Sequence, residues 1–291
     1  MTTSQRSDAG GETLEDALRS AAELAEDGRA AEAFEQLVEW DDQAPEDPAL
    51  LCMLGALARD VGADGPAYDY FRRCLATNPA DPTVLATAGQ GVAAFDDPDA
   101  ETALRAAALT GPHLVLTRLT YGAYLAREGM MEEALGELEA ARDLAPDDGL
   151  VRFELATALY LDGQRTEAVP EMELAAELRE DDGWIGALLG MTLWMAGREE
   201  EGAEQLHRVG EELRSEDGEL HLFAALAFAG LGWLDEAWNA HARAESVPRP
   251  PDQAVIREVE VALEAGEEAA RTLLRQELAP GMIRERLLQR A

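Results

Sequence analysis

The chain has 291 residues, and its 59 Asp and Glu against 24 basic residues give a formal net charge of −35. Every base is Arg, and Lys does not occur. So acidic a surface repels nucleic acid and anionic membranes, and no apolar run is long enough to insert into a bilayer. Hydrophobic residues make up 47% of the chain but aromatic ones only 5%, so Ala and Leu must fill the interior, as closely packed helices require.

Residues 1–11 read as a polar tail without the apolar core of a secretion signal, which makes the cytoplasm the expected location. From residue 12 a period appears. Gly28, Gly62, Gly129, Gly163, Gly197, Gly232 and Gly266 are separated by 34, 67, 34, 34, 35 and 34 residues. The double-length gap holds one more unit, centred on Asp96, that has lost its glycine. A 34-residue period predicts stacked helix pairs, fifteen to seventeen helices in all and no strand. The units are 12–45, 46–79, 80–112, 113–147, 148–181, 182–215 and 216–250, followed by a degenerate eighth and a terminal cap over 251–291.

The first unit carries Ser20-Ala21, Leu24, Gly28, Ala33, Leu37 and Pro45. The second carries Leu54-Gly55, Gly62, Ala67, Phe71 and Pro79. In the third, Ala88-Gly89 and Val92 are in place, but Asp96 stands at the turn and Pro98 follows. The fourth is the clearest: Tyr121-Gly122, Leu125, Gly129, Ala134, Leu138, Ala141 and Pro146. Its Gly122 admits a neighbouring helix, Gly129 ends the first helix in the left-handed conformation, and Pro146 stops the second. The fifth repeats this with Leu155-Ala156, Leu159, Gly163, Ala168, Met172 and Ala175. The sixth has Leu189-Gly190, Leu193, Gly197, Gly202 and Leu206, and the seventh has Ala224-Ala225, Phe228, Gly232, Ala237, His241 and Ala244. The eighth begins near Asp252 and keeps Gly266, but Arg271 stands where a small alanine is expected. From Arg271 onward there are five Arg against two acids, Glu277 and Glu285. Residues 281–290 are expected to form a capping helix, with Met282, Ile283, Leu287 and Leu288 inward and Arg284, Arg286 and Arg290 in water.

These units resemble the tetratricopeptide repeat family, over residues 12–250 closely and 252–290 more loosely. The resemblance implies an all-α, right-handed superhelical solenoid of antiparallel helix pairs, with the first helix of each pair lining a concave wall. It also implies protein or peptide binding. The scarcity of Trp at the start of the first helices and the altered third turn depart from the family pattern. One mode of the family, clamping an acidic tail with Lys, Arg and Asn on the first helices, does not fit. This chain has no Lys, and its two Asn (Asn78 and Asn239) lie off the first helices.

No chemistry stands out. His113, His207, His221 and His241 lack the spacing of a helical metal site, and no cysteine cluster joins them. Gly89-Gln90-Gly91 has neither the Lys nor the strand of a phosphate loop. The expectation is a non-catalytic protein with no cofactor and no metal. Cys52 and Cys74, one in each helix of the second unit, read as small fillers in a reducing compartment.

The candidate binding residues lie on the first helices of units five to seven. With Leu155, Leu159, Leu189 and Leu193 packed inward, a second stripe remains. Leu150, Phe153 and Tyr160 carry it in unit five, Trp184, Met191 and Trp194 in unit six, and Leu222 and Leu226 in unit seven. Two readings stand side by side. The stripe lines an apolar groove for a partner segment, an amphipathic helix with basic flanks, or a tight fold buries it against itself or the C-terminal segment. The leading function is a scaffold or adaptor. The alternatives are a structural subunit that self-associates or organises a larger complex, and a peptide-responsive regulator acting through another chain.

The charge has three readings: a high-GC genome, life in molar salt, or a docking face for a basic partner, which the spread of the acids over every unit disfavours. At ~1 M salt the Debye length is about 3 Å, so repulsion among the surplus carboxylates nearly vanishes. If the acids serve solubility in salt, the melting temperature rises steadily from low to molar NaCl. A flat profile favours genome composition.

Overall fold

The computed structural model describes residues 13–281, which leaves the polar tail and, but for Gly281, the expected capping helix outside the described residues. The chain forms two compact units, Met1–Tyr121 and Gly122–Ala291. The first holds α1 (Leu14–Glu26), α2 (Ala30–Val38), α3 (Pro48–Asp60), α4 (Asp64–Ala76), α5 (Pro82–Ala93) and α6 (Asp99–Thr110). The division falls inside α7 (Val115–Arg127). The second unit continues with α8 (Met131–Leu144), α9 (Gly149–Leu161), α10 (Arg165–Leu178), α11 (Gly183–Met195), α12 (Glu199–Glu212), α13 (Gly218–Gly230) and α14 (Leu234–Ser246). It closes with α15 (Gln253–Ala265), α16 (Glu267–Thr272) and a π-helical turn, Leu273–Leu278. Among the described residues there is no strand, as the period predicts.

The two helices of a pair begin differently. Seven of the eight first helices start on a side-chain cap. Thr13 caps α1, and Asp47, Asp81, Asp148, Asp182, Asp217 and Asp252 each accept a backbone N–H from the first turn of α3, α5, α9, α11, α13 and α15. Such caps satisfy N–H groups that have no partner within the helix. Two of these aspartates, Asp148 and Asp182, are the second members of Asp-Asp pairs, so part of the acidity is structural. Second helices lack a side-chain cap and run straight out of a tight turn.

That turn needs one left-handed residue. Gly28, Gly62, Gly129, Gly163, Gly197 and Gly232 hold φ between 76° and 92°. The next residue's N–H then bonds back five residues, as in Arg29 to the Leu24 carbonyl at 2.8 Å and Trp233 to the Phe228 carbonyl at 2.9 Å. In the third turn Asp96 takes the glycine's place at φ 54°. Asp is among the few side chains that tolerate this region. Its neighbour Asp97 is buried and accepts the Asp99 amide at 2.9 Å and the Tyr68 hydroxyl at 2.7 Å, with Arg72 at 3.6 Å. Burial works against the Asp97 charge, but these partners outweigh it and hold the carboxyl below its ordinary value.

The cores of both units depend on close helix approach. In the first unit the fully buried Phe71 of α4 lies between α3 and α5. A methyl at Gly55 would come within 2.7 Å of its ring, and one at Gly91 within 2.2 Å. In the second unit Gly202 of α12 sits so close to α11 that an added methyl would meet the Gly190 carbonyl at 2.7 Å. Gly91→Ala should destabilise the chain by about 1–3 kcal/mol through overpacking against Phe71, despite alanine's better helix propensity. Urea unfolding followed by circular dichroism measures this, and an unchanged midpoint would mean that Phe71 can move aside.

Candidate functional site

The candidate residues all lie in the second unit, on α9, α11 and α13. These helices differ from ordinary surface helices. Every residue of α11 except Trp184 is buried, and so is every residue of α13 except Glu219. A helix that is apolar on all sides must be covered on all sides. The stripe facing away from the second helices is therefore also closed.

Phe153, Met191, Trp194, Leu222 and Leu226 are sealed from solvent, and Tyr160 is nearly so. Burial pushes the Tyr160 hydroxyl above its ordinary pKa, against the opposing pull of Arg165, whose guanidinium lies 5.7 Å from the ring centre. The exposed apolar surface expected of the wall is confined to its rim. Leu150, at the start of α9, is 38% exposed. Trp184, at the start of α11, is half-buried beneath the Arg214 guanidinium, 3.9 Å from its ring centre. That cation–π contact holds the indole against the protein surface.

The C-terminal helix closes part of the wall. α16 packs against α13 as well as against its pair partner α15, and the π-helical turn also touches α13. The cause is local. Gly266 has φ 99° and ψ −173°, a conformation open only to glycine. It is the sole residue between α15 and α16, whereas three residues separate the helices of α13 and α14. α16 thus leaves α15 in a different direction from the earlier second helices. It begins beside the α13–α14 turn, where a methyl on Gly232 would stand 3.0 Å from a Glu267 carboxylate oxygen. It passes the end of α13, where a methyl on Gly230 would meet Arg271 Cγ at 3.0 Å and the Trp194 ring at 3.1 Å. It then reaches the first turn of α12, where one carboxylate, Glu199, accepts from both Arg271 and Arg275, the latter at 2.6 Å.

Periodicity in the sequence does not reveal Glu199, Arg271 or Arg275 as a cluster, because 72 and 76 residues separate the partners. The available signal was Arg271 itself, a long charged residue at a position reserved for a small one. Trp194 adds a second feature: its indole Nε1 is buried with no hydrogen-bond partner among the described residues.

Two of the four histidines and both cysteines lie in the interior. His221 and His241 are buried, with Nε2 3.4 Å from the Ser215 carbonyl and 3.3 Å from the Ile256 carbonyl. Cys52 and Cys74 are free and buried. Among the described residues no group of three or more His, Cys, Asp or Glu is placed to hold a metal ion, and no helix is long and apolar enough to cross a membrane.

Helix pairs closed by a left-handed residue every 34 residues or so, with small residues where the pair meets, define the tetratricopeptide repeat fold. Solved structures agree. A chain of the APC/C hetero-tetramer Cut9–Hcn1 matches over 86% of this chain and 49% of its own length, at 18% identity and a TM-score of 0.69. A tetratricopeptide repeat protein from Parabacteroides merdae matches over 89% of this chain and 99% of its own, at 15% identity and a TM-score of 0.59. The C-terminal part of a repeat protein from Cytophaga hutchinsonii matches over 82% and 98%, at 14% identity and a TM-score of 0.55. No family model matches the chain, and no curated protein matches it.

Burial separates the two candidate tryptophans. Trp194→Ala should cost about 3–5 kcal/mol of stability, as for large core truncations, whereas Trp184→Ala at the rim should cost about 1 kcal/mol or less beyond its cation–π contact. Thermal melts of the two variants decide this, and equal losses would contradict the assignment of one to core and the other to rim.

Proposed function

We propose that the chain is a non-catalytic scaffold or adaptor that holds a partner's helical segment along the first helices of units five to seven. The fold supports this in general terms, since stacked helix pairs of this kind commonly bind other proteins along their helix faces. The observation that carries it is the composition of α11 and α13, apolar on every side where an ordinary helix turns a polar face to water. Leu150 and Trp184 are the accessible members of the stripe and form the first point of contact. Phe153, Tyr160, Met191, Trp194, Leu222 and Leu226 are buried in this structure and become the anchoring surface only when the wall is opened. The partner segment is amphipathic, because an apolar face must meet the wall, and it has basic flanks, because the surrounding surface is strongly acidic. Met191 and Met195 give the wall adaptable packing.

Capture with the purified chain as bait at low and molar salt, followed by mass spectrometry, identifies the partner. Trp184→Ala and Leu150→Ala should then weaken its binding, with Trp184→Ala costing about 2 kcal/mol, roughly 30-fold in affinity, while helicity is unchanged. Affinity indifferent to both substitutions would remove the wall from the interface. Light scattering over a dilution series that shows growth of the chain alone would favour a self-associating structural subunit instead.

A further inference from the structure

The C-terminal helix sits on the wall in a way that a terminal cap does not require. A cap needs only to cover α15, the last first-helix of the series. This segment instead turns back over α13 and pairs with Glu199 in α12. Its inward face is apolar: Ala270, Leu273, Leu274 and Ala279 are all buried. Its outward edge carries Arg271 and Arg275, one turn apart, and both donate to the same carboxylate.

The π-helical turn sets this arrangement. Pro280 has no N–H and its ring excludes the carbonyl of Gln276 from an α-helical bond. The wider turn at Leu273–Leu278 absorbs the misfit. It also shifts the helical register by one residue, so that Ala279, rather than Leu278, faces inward beyond Leu274.

We propose that Glu267–Gly281 is an intramolecular ligand of the α11–α13 wall, and that a partner helix with an apolar face and two arginines one turn apart must displace it to bind. This rests on the scaffold reading and adds a competitor to it. The segment has the chemistry expected of the partner, amphipathic and basic at its edge. It also presents its two arginines to an acceptor that is itself on the repeats. Binding at the wall is therefore gated by release of the segment, and Glu199 is the residue that both occupants share.

A fluorescein-labelled peptide of residues 267–281 provides the test, with fluorescence anisotropy as the readout. The parent full-length chain, whose wall is occupied, should bind it weakly. Arg271→Glu with Arg275→Glu places like charges against Glu199 and releases the internal segment, and this variant should bind the peptide at least tenfold more tightly. Adding Glu199→Gln to that variant should abolish the gain, because the peptide loses the same acceptor. Equal affinity of parent and released chains, or a gain that survives Glu199→Gln, overturns the proposal. If the charge reversal unfolds the chain by circular dichroism, Arg271→Ala with Arg275→Ala takes its place. Unfolding of both variants also overturns it, since the segment is then an indispensable part of the fold. The titration involves no cellular partner, so its failure leaves the scaffold reading to the capture experiment.

Discussion

Joining two antiparallel helices through three residues leaves one position with no choice of backbone conformation. It must take a positive φ, and the residue after it must bond back to the helix just ended. Six glycines meet this demand, and in the five-residue link between α5 and α6 Asp96 takes the same conformation. The rest of the pair follows from it. Once the turn is closed the second helix needs no cap, and its small and apolar residues meet the first helix at fixed spacing. The pairs then pack as tightly as their glycines allow. Phe71 shows the limit, since its ring occupies space that any side chain at Gly55 or Gly91 would claim.

The same economy appears at the other end of the first helices, where an aspartate begins each of six. These carboxylates satisfy amide donors and complement the positive end of the helix dipole. They are part of why the chain is so acidic, but a small part. Six caps leave most of the 59 acidic residues to the solvated surface, where salt screens them. The acidity is therefore two things at once, an architectural motif at six of the first helices and a property of the solvated surface.

Much of the fold was legible because glycine leaves a mark that few other residues can imitate. The period located the turns, and even the altered third turn could be placed by counting, although the tolerance of Asp96 for positive φ and the partners of Asp97 needed coordinates. The wall was harder to read. Periodicity assigns a face only when one side of a helix is polar. α11 and α13 have no polar side, so the pattern could nominate Trp194 and Met191 for the stripe but could not say what lies over them. The C-terminal segment escaped for a different reason. Gly266 keeps the spacing of the series, so it looks like another turn. Only the single-residue link reveals that the helix after it departs in a new direction, and link length is what sequence patterns locate least well. Arg271 was the visible anomaly, and its meaning depended on a carboxylate 72 residues away.

An apolar wall and an acidic surround place opposite demands on whatever covers them. The wall asks for aliphatic area, which any amphipathic helix can supply, and so discriminates little. Discrimination must come from the edge. There Glu199 offers two oxygens, and the segment fills both, Arg271 donating to Oε2 and Arg275 to Oε1. A helix with a single base would leave one partly buried oxygen without its charged donor, a loss larger than the value of an exposed ion pair. Lysine would serve poorly, because its ammonium is a strongly hydrated point charge without the planar fork of donors that arginine presents. Two arginines one turn apart thus make a more selective signature than the apolar face they accompany. In a chain with no Lys and few bases to spare, their placement on the segment that packs over α13 links the charge pattern of the C-terminus to the proposed binding surface.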